Sequence, residues 1–600
     1  MKTTHNIKAL CAVVLLGTAA AVNAQEDVSK EKNLNREMTL EREYDPSVQD
    51  ASKINTLPPV KEPEIKKMPI SYSSFTVPAN PEKEIGLLPS GNILTEMNYN
   101  KRRGYLNFGI GTYMNIKGDF GYHILSTKKD QLNVFLSHRS SNGKIKYIQY
   151  DEKAKAKIND NLGGINFKHE FEQLALNLGA RYGYSAFNYY GLPMENLQFP
   201  PTTPPSNVPY LKEADRSTNQ VNQQIRFNAG VESKEEAPVG YLLDIDFINF
   251  SHKYGESKLV DGATENTIDA KFDLNAAFGG NQKIGLGGNV VYFAYSLPAK
   301  VERPNGGGYY ISEFENHAEA TLSPYYKVTG DNWNIKLGAN VMFVTGEAKK
   351  VMASPNITAD IEVAEKTVLY LTALGKLHSN SMYEVSQLNR YINPTREITP
   401  SFNWLDATLG IKSGIAPNFW FDIFAGYKIT KNNCFFVPSR GYDKGDFGNF
   451  STAFDGIDSK QLFVGANLKY SYQQLFDINL KGVYNNWKAS LGDGWTPGGD
   501  TKAYGMPTME LTAGVTARPM KNLALALDYY LAIDRYTHLF GAEDVKMKNI
   551  NELNLTGTYT FNDTFGAYIK VNNLLCQKYE LLYGYPMQSI SAMVGVNINF

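Results

Sequence analysis

Seven histidines lie beyond residue 24, at His123, His138, His169, His252, His317, His378 and His538. None forms an HExxH pair or joins cysteines at metal-ligand spacing, so no metal site is expected. No GxSxG elbow and no phosphate-binding loop is present. Gly285-Leu286-Gly287-Gly288 lacks the GxGxxG spacing and sits inside an alternating stretch, where glycine makes room for a neighbouring side chain. The sequence therefore predicts no catalytic residue, no metal and no cofactor. Cys434 and Cys576 read as isolated small hydrophobes, about six strands apart, and are not expected to bond.

What the polar residues could do instead is line a conduit. Asn467, Lys469, Asp528, Asp534, Lys336, Arg181, Lys570 and Asp406 fall on the polar side of alternating stretches. Their mixed charge gives no ring of one sign and hence no clear ion preference. In 461–472, Leu462, Val464, Ala466, Leu468, Tyr470 and Tyr472 alternate with Phe463, Gly465, Asn467, Lys469 and Ser471. In 523–534, Leu523, Leu525, Leu527, Tyr529, Leu531 and Ile533 oppose Ala524, Ala526, Asp528, Tyr530, Ala532 and Asp534. A period of two puts these sets on opposite faces of a strand.

The alternation recurs from about residue 102 to Phe600. Short turns are predicted at Lys128-Lys129-Asp130, Lys234-Glu235-Glu236, Gly280-Asn281-Gln282, Gly330-Asp331-Asn332, Ala416-Pro417-Asn418, Pro519-Met520-Lys521 and Asn562-Asp563-Thr564. Longer links, including 191–216, 386–401, 438–460 and 490–508, separate them. A soluble sandwich would alternate as well. Tyr, Phe and Trp bounding the apolar faces, a polar opposite face, and short turns alternating with long loops favour an all-β transmembrane antiparallel β-barrel of about 22 strands. An even count puts both chain ends on the periplasmic side, in the outer membrane.

The start of the chain agrees with export. A basic stretch with Lys2, His5 and Lys8 precedes an apolar run, Ala9 to Ala21, then Val22-Asn23-Ala24. This is the pattern of a signal peptide (1–24) cleaved before Gln25, and its apolar run is too short for a spanning helix. Cys11 lies within the discarded run. Residues 25–95 are charged and proline-containing, and read as a mostly unstructured periplasmic segment that could reach a partner. Residues 96–600 form the barrel. Lys+Arg number 60 and Asp+Glu 61, so no basic excess points to nucleic acid.

The last thirty residues, VNNLLCQKYELLYGYPMQSISAMVGVNINF, resemble the closing strands of TonB-dependent receptors. The matching residues are Asn573, Leu574, Lys578, Tyr579, Gly584, Tyr585 and Pro586, with Leu575-Cys576-Gln577 departing from the family's usual aromatic and polar residues. The set Ile590, Ala592, Val594, Val596, Ile598 and Phe600 resembles the final strand that the barrel-assembly machinery recognises. It is expected to close the barrel against a first strand around Tyr105 to Tyr113. The resemblance covers 102–600 by architecture and the last thirty residues by motif. It implies transport across the outer membrane, or a place in an envelope complex. The family's plug domain has well over a hundred residues, and 25–95 does not accommodate one, so the resemblance is to a receptor without a plug. Arg36 to Arg42 could pair as an extended strand with a periplasmic partner, as a TonB-box segment does, although no residue in it is diagnostic. A passive porin-like channel and a structural or adhesion barrel acting through its loops are the alternatives.

Overall fold

The computed structural model describes residues 102–600, apart from 150, 152, 192–218, 235–238, 256–259, 303–308, 311, 347–349, 415, 439–450, 474, 493–498 and 540–542. The expected signal peptide, the 25–95 segment and the domain boundary at 96 lie outside the described residues.

Twenty-two antiparallel strands close into a barrel. They are β1 Gly104–Gly111, β2 Asn115–Ser126, β3 Asp130–Lys146, β4 Lys153–Glu170, β5 Leu174–Asn188, β6 Asn219–Ser233 and β7 Val239–His252. Next come β8 Thr264–Phe278, β9 Gln282–Ser296, β10 His317–Thr329, β11 Trp333–Val344, β12 Lys350–Ala364, β13 Thr367–His378 and β14 Ser401–Ser413. The remainder are β15 Phe419–Pro438, β16 Ser451–Tyr472, β17 Phe476–Leu491, β18 Met509–Met520, β19 Leu523–Ile533, β20 Ile550–Thr560, β21 Phe565–Asn572 and β22 Ser591–Asn599. Each pairs with its neighbours in sequence, and β1 pairs with β22. Connections after even-numbered strands are short turns and those after odd-numbered strands are mostly longer loops, so the barrel has a short-turn end and a long-loop end. One loop, between β13 and β14, carries the helix α1, Met382–Leu388, capped by Ser381 Oγ accepting from Glu384 N–H.

The alternation decides which side chains point outward. Leu462 and Val464 of β16 are about half exposed, as are Leu136, Phe227, Ile284, Leu337, Leu409 and Val594 on other strands. Such a surface is costly in water and suits hydrocarbon. From Leu462 to Tyr472 the strand rises about 33 Å at about 3.3 Å per residue, which a tilt of about 40° reduces to about 25 Å. That is the height of an outer-membrane apolar band.

Glycine on the inner face answers a bulky neighbour. A Cβ on Gly285 would collide with the Tyr325 ring, and Gly595 and Gly109 lie under Tyr568, whose ring reaches across the seam of β21, β22 and β1.

Several boundaries differ from the sequence reading, and the link placed at 386–401 begins at 379 and carries α1, whose short helix the strand alternation gave no reason to expect. The link placed at 438–460 ends earlier, because β16 begins at Ser451. Its first residues, Ser451 to Phe454, are buried on both faces, which erases the polar–apolar alternation. The turn placed at 519–521 falls at 521–522 instead, since β18 runs through Met520. The turns at 171–173 and 365–366 carry no glycine or proline to announce themselves.

Candidate functional site

The described loops meet over the long-loop end, and the segment joining β13 to β14 does the joining. From Ser379 onward it touches the inner side of one strand after another. Ser379 Oγ donates to Glu319 Oε2 of β10 at 2.5 Å, Tyr383 N–H to Glu265 Oε2 of β8 at 3.3 Å, and Ser386 Oγ lies 3.3 Å from His252 Nε2 of β7. Arg390 then forms a two-pronged ion pair with Asp160 of β4, Nη1 to Oδ1 at 2.9 Å and Nη2 to Oδ2 at 3.0 Å. Planar guanidinium fits carboxylate in this geometry, and each bond is charge-assisted. Ser185 Oγ of β5 donates to the same carboxylate at 2.6 Å.

Tyr391 is the pivot. Its ring meets Phe187 of β5 edge-on at 5.8 Å and stacks on Tyr585 at 4.2 Å and 20°, while Tyr190 packs edge-on against both, at 5.5 and 5.2 Å. Its carbonyl accepts from Ser451 N–H of β16 at 2.8 Å, and Asn393 N–H donates back to Ser451 O at 2.9 Å. In a closed ring of 22 strands, β5 and β16 stand opposite one another. Residues 389–393 therefore bridge opposite walls instead of following one. Burial pushes the phenols of Tyr189, Tyr190, Tyr391 and Tyr585 above the usual tyrosine range, so they stay neutral hydrogen-bond donors. Tyr190 OH donates to Pro586 O at 3.2 Å and Tyr189 OH to Ile392 O at 3.5 Å.

The C-terminal motif supplies one bank of this bridge. Asn573, at φ 54°, turns the chain out of β21; its Nδ2 donates to Gln577 O at 2.8 Å and its Oδ1 accepts from Gln577 N–H at 2.9 Å. Leu574 N–H donates to Leu553 O at 2.8 Å. Tyr579 OH bonds Glu552, Lys578 is exposed, and Gly584, at φ 83°, turns Tyr585 and Pro586 into the mouth. Arg535 ties this loop to its neighbours, donating to Glu580 O at 2.7 Å and Gly505 O at 3.1 Å.

At the seam, Ile598, Val596 and Val594 stand opposite Leu106, Phe108 and Ile110, Ala592 begins the strand after Ser591, and Ile590 lies just before it. Phe600 exchanges two backbone bonds with Gly104, at 2.7 and 2.9 Å, and its ring stacks near Phe120 and Tyr122.

Most of the polar residues singled out in the sequence stand on the inner wall, where each has a partner. Asn467 donates to Asp422 at 3.1 Å, Asp406 pairs with Lys428 at 3.5 Å, and Lys469, Lys336 and Arg181 lie over the rings of Trp420, Tyr325 and Phe135. Asp528 faces Gly514, and Lys570 is buried on β21. Asp534 is the exception: it sits past the end of β19 at φ 58° and pairs with Lys546, outside the wall. The bridge itself, Asp160, Tyr190, Arg390 and Tyr391, went unnoticed in the sequence. The only signal for it is an unusual density of aromatic residues in loops, Tyr189-Tyr190 and Arg390-Tyr391. Cys434 and Cys576 are both free thiols.

No family model and no curated protein matches the sequence. Solved structures do match the fold. The siderophore receptor PirA from Acinetobacter baumannii aligns over 84% of this chain and 81% of its own, at 9% identity and a TM-score of 0.61. The ferric enterobactin receptor of Pseudomonas aeruginosa aligns over 83% and 81%, at 10% identity and 0.60. A copper transporter, OprC, aligns over 83% and 81%, at 10% identity and 0.59. The chain thus has a TonB-dependent receptor-like outer-membrane barrel fold. The proteins that share it and are named here are receptors and a transporter, not enzymes.

Proposed function

We propose that this chain is an outer-membrane transport protein of the TonB-dependent receptor type, in which a loop of the barrel, rather than a folded plug, spans the mouth. The observation that supports this most is the bridge at 389–393, which ties opposite walls together. A barrel this wide left open would act as a leak, and a bridged mouth opens only when something displaces it. In this reading the apolar band faces lipid, β22 is handed to the barrel-assembly machinery, and the short turns and both chain ends face the periplasm. The charged 25–95 segment then docks on a periplasmic partner that supplies the energy. Catalysis has no part in it.

The test is solute flux in proteoliposomes. Full chain should admit small sugars no faster than protein-free vesicles. Rapid, steady swelling would support the porin reading. Deleting 25–95 should abolish recovery of the periplasmic partner from membranes, and unchanged recovery together with unchanged transport would remove the docking part.

A further inference from the structure

The hairpin of β3 and β4 continues past the apolar band at the long-loop end, and its two faces differ there. Lys153, Lys155 and Lys157 of β4 alternate with Ala154 and Ala156, and Lys144 and Lys146 of β3 flank Ile145. Ile145, Ala154 and Ala156 are buried in a cluster with Tyr190 and Tyr585 of the bridge, so they face the mouth. The lysines therefore face away from the conduit. The exposed Leu136 and Ile165 lie lower on the same outward face of these two strands.

The patch is densely cationic. Lys144 stands directly opposite Lys155 and Lys146 directly opposite Lys153, while Lys157 is opposite Asn142. Like charges in register across a hairpin repel, so these rows weaken the pairing that holds them. Lys146 is neutralised by Asp151 in the link between the strands. The other four are exposed, and among the described residues no carboxylate oxygen lies within 4.0 Å of their ammonium groups.

Height separates the lysines. A strand tilted by about 40° climbs about 2.5 Å per residue, so a band about 25 Å tall ends about ten residues above Asp130, near Ser140. Lys157, paired with Asn142, stands about 5 Å above that edge, Lys144 and Lys155 about 10 Å and Lys153 about 15 Å. The polar headgroup layer is about 5–7 Å deep on each side of the hydrocarbon. Lys157 lies inside it, and the flexible stems of Lys144 and Lys155 bring their ammonium groups down to its surface.

We propose that Lys157, Lys155 and Lys144 bind the phosphate of anionic lipid headgroups in the leaflet at the long-loop end, with Lys153 at the upper rim. Opposed side chains are about 5 Å apart and same-face neighbours along β4 about 7 Å, so one phosphate between them meets two or three ammonium groups. Continuity with the apolar band favours a lipid over a soluble partner. A lipid whose chains lie along Ile165 carries its phosphate to Lys157 on the same face of the same strand. The inference rests on reading the apolar band as lipid-facing, and it adds a preference for headgroup charge.

The probe is phosphatidylglycerol. The full chain is placed in nanodiscs of phosphatidylcholine alone or of an equal mixture with phosphatidylglycerol, and lysine acetylation is read residue by residue by mass spectrometry. The anionic lipid should protect Lys157 several-fold, Lys144 and Lys155 less and Lys153 least, leaving Lys336 and Lys469 of the inner wall unchanged. One lysine near an anionic surface strengthens attraction to it about fivefold. Lys144→Gln/Lys155→Gln/Lys157→Gln should therefore retain at least about fivefold less phosphatidylglycerol through detergent extraction, with the barrel still heat-modifiable. The corresponding triple arginine variant should retain as much as the native chain. Lys157→Gln alone serves if the triple glutamine variant does not assemble. Equal acetylation in the two bilayers, protection without the height gradient, or unchanged retention in the glutamine variants overturns the proposal. Equal protection by inorganic phosphate in detergent also overturns it, assigning the patch to a free anion. Displacement of the lipid by hexaglutamate does the same, assigning it to an acidic protein. A chain that enters neither bilayer overturns the lipid-facing reading and the patch with it, and one that inserts without protection overturns the patch alone.

Discussion

Replacing Arg390 by methionine removes the guanidinium while keeping a stem that can lie over Phe187, where the Arg390 guanidinium now sits 5.7 Å from the ring. The two bonds to Asp160, at 2.9 and 3.0 Å, are lost together. The side chains are 32% and 27% exposed, so the pair is neither fully buried nor a surface pair. Breaking a buried pair costs about 3–5 kcal/mol and an exposed pair contributes about 0.2–1 kcal/mol. A value of about 2 kcal/mol lies between them and corresponds to a roughly 30-fold shift toward the undocked segment. Hydrogen exchange reads that shift directly, because Ser451 N–H bonds Tyr391 O and Asn393 N–H bonds Ser451 O. Both amides should exchange about 30-fold faster in Arg390→Met, while amides in mid-strand β16 and β17 keep their protection. Unchanged exchange at Ser451 and Asn393 would refute the idea that this ion pair holds the bridge. An equal acceleration over the whole barrel would refute it too, by showing a global effect.

Three further outcomes are expected. Leu468→Arg and Leu527→Arg place a charge in the apolar band and should destabilise the barrel by about 2–4 kcal/mol in lipid, whereas Asn467→Arg should be tolerated; equal tolerance at 467 and 468 in denaturant titrations would overturn the register. Phe600→Ala removes a half-exposed ring from Phe120 and Tyr122 at the seam. It should cost about 2 kcal/mol and lower membrane insertion, and a normal heat-modifiable yield would count against this. Glu384 on α1, whose own side chain stays exposed, has its pKa raised by desolvation in the protein-lined mouth and by the like charges of Glu319 and Glu265. Its contribution to docking is therefore full below the ordinary value of 4.5 and is lost as pH rises through the raised value. Glu384→Gln should stabilise the docked segment at neutral pH and flatten its pH dependence; a wild-type pH profile in the variant would contradict the assignment.

The barrel was legible because every second residue has to satisfy hydrocarbon, and Leu462 to Tyr472 records that demand in the sequence. The seam was legible for the same reason, through Val594, Val596 and Ile598. Ser451 to Phe454 failed to read as strand because the loops cover both faces there. The bridge could not be read, since nothing local links Arg390 to Asp160, 230 positions away, or Tyr391 to Tyr585.

Single-channel recording in planar bilayers tests the bridged mouth most directly, comparing the full chain with a variant in which 382–392 is replaced by a glycine–serine linker of equal length. The full chain should be silent or open briefly. The variant should show large, steady openings, because the segment that ties β5 to β16 is gone. Wide, steady openings in the full chain, or silence in a properly assembled variant, would contradict the assignment of closure to this loop.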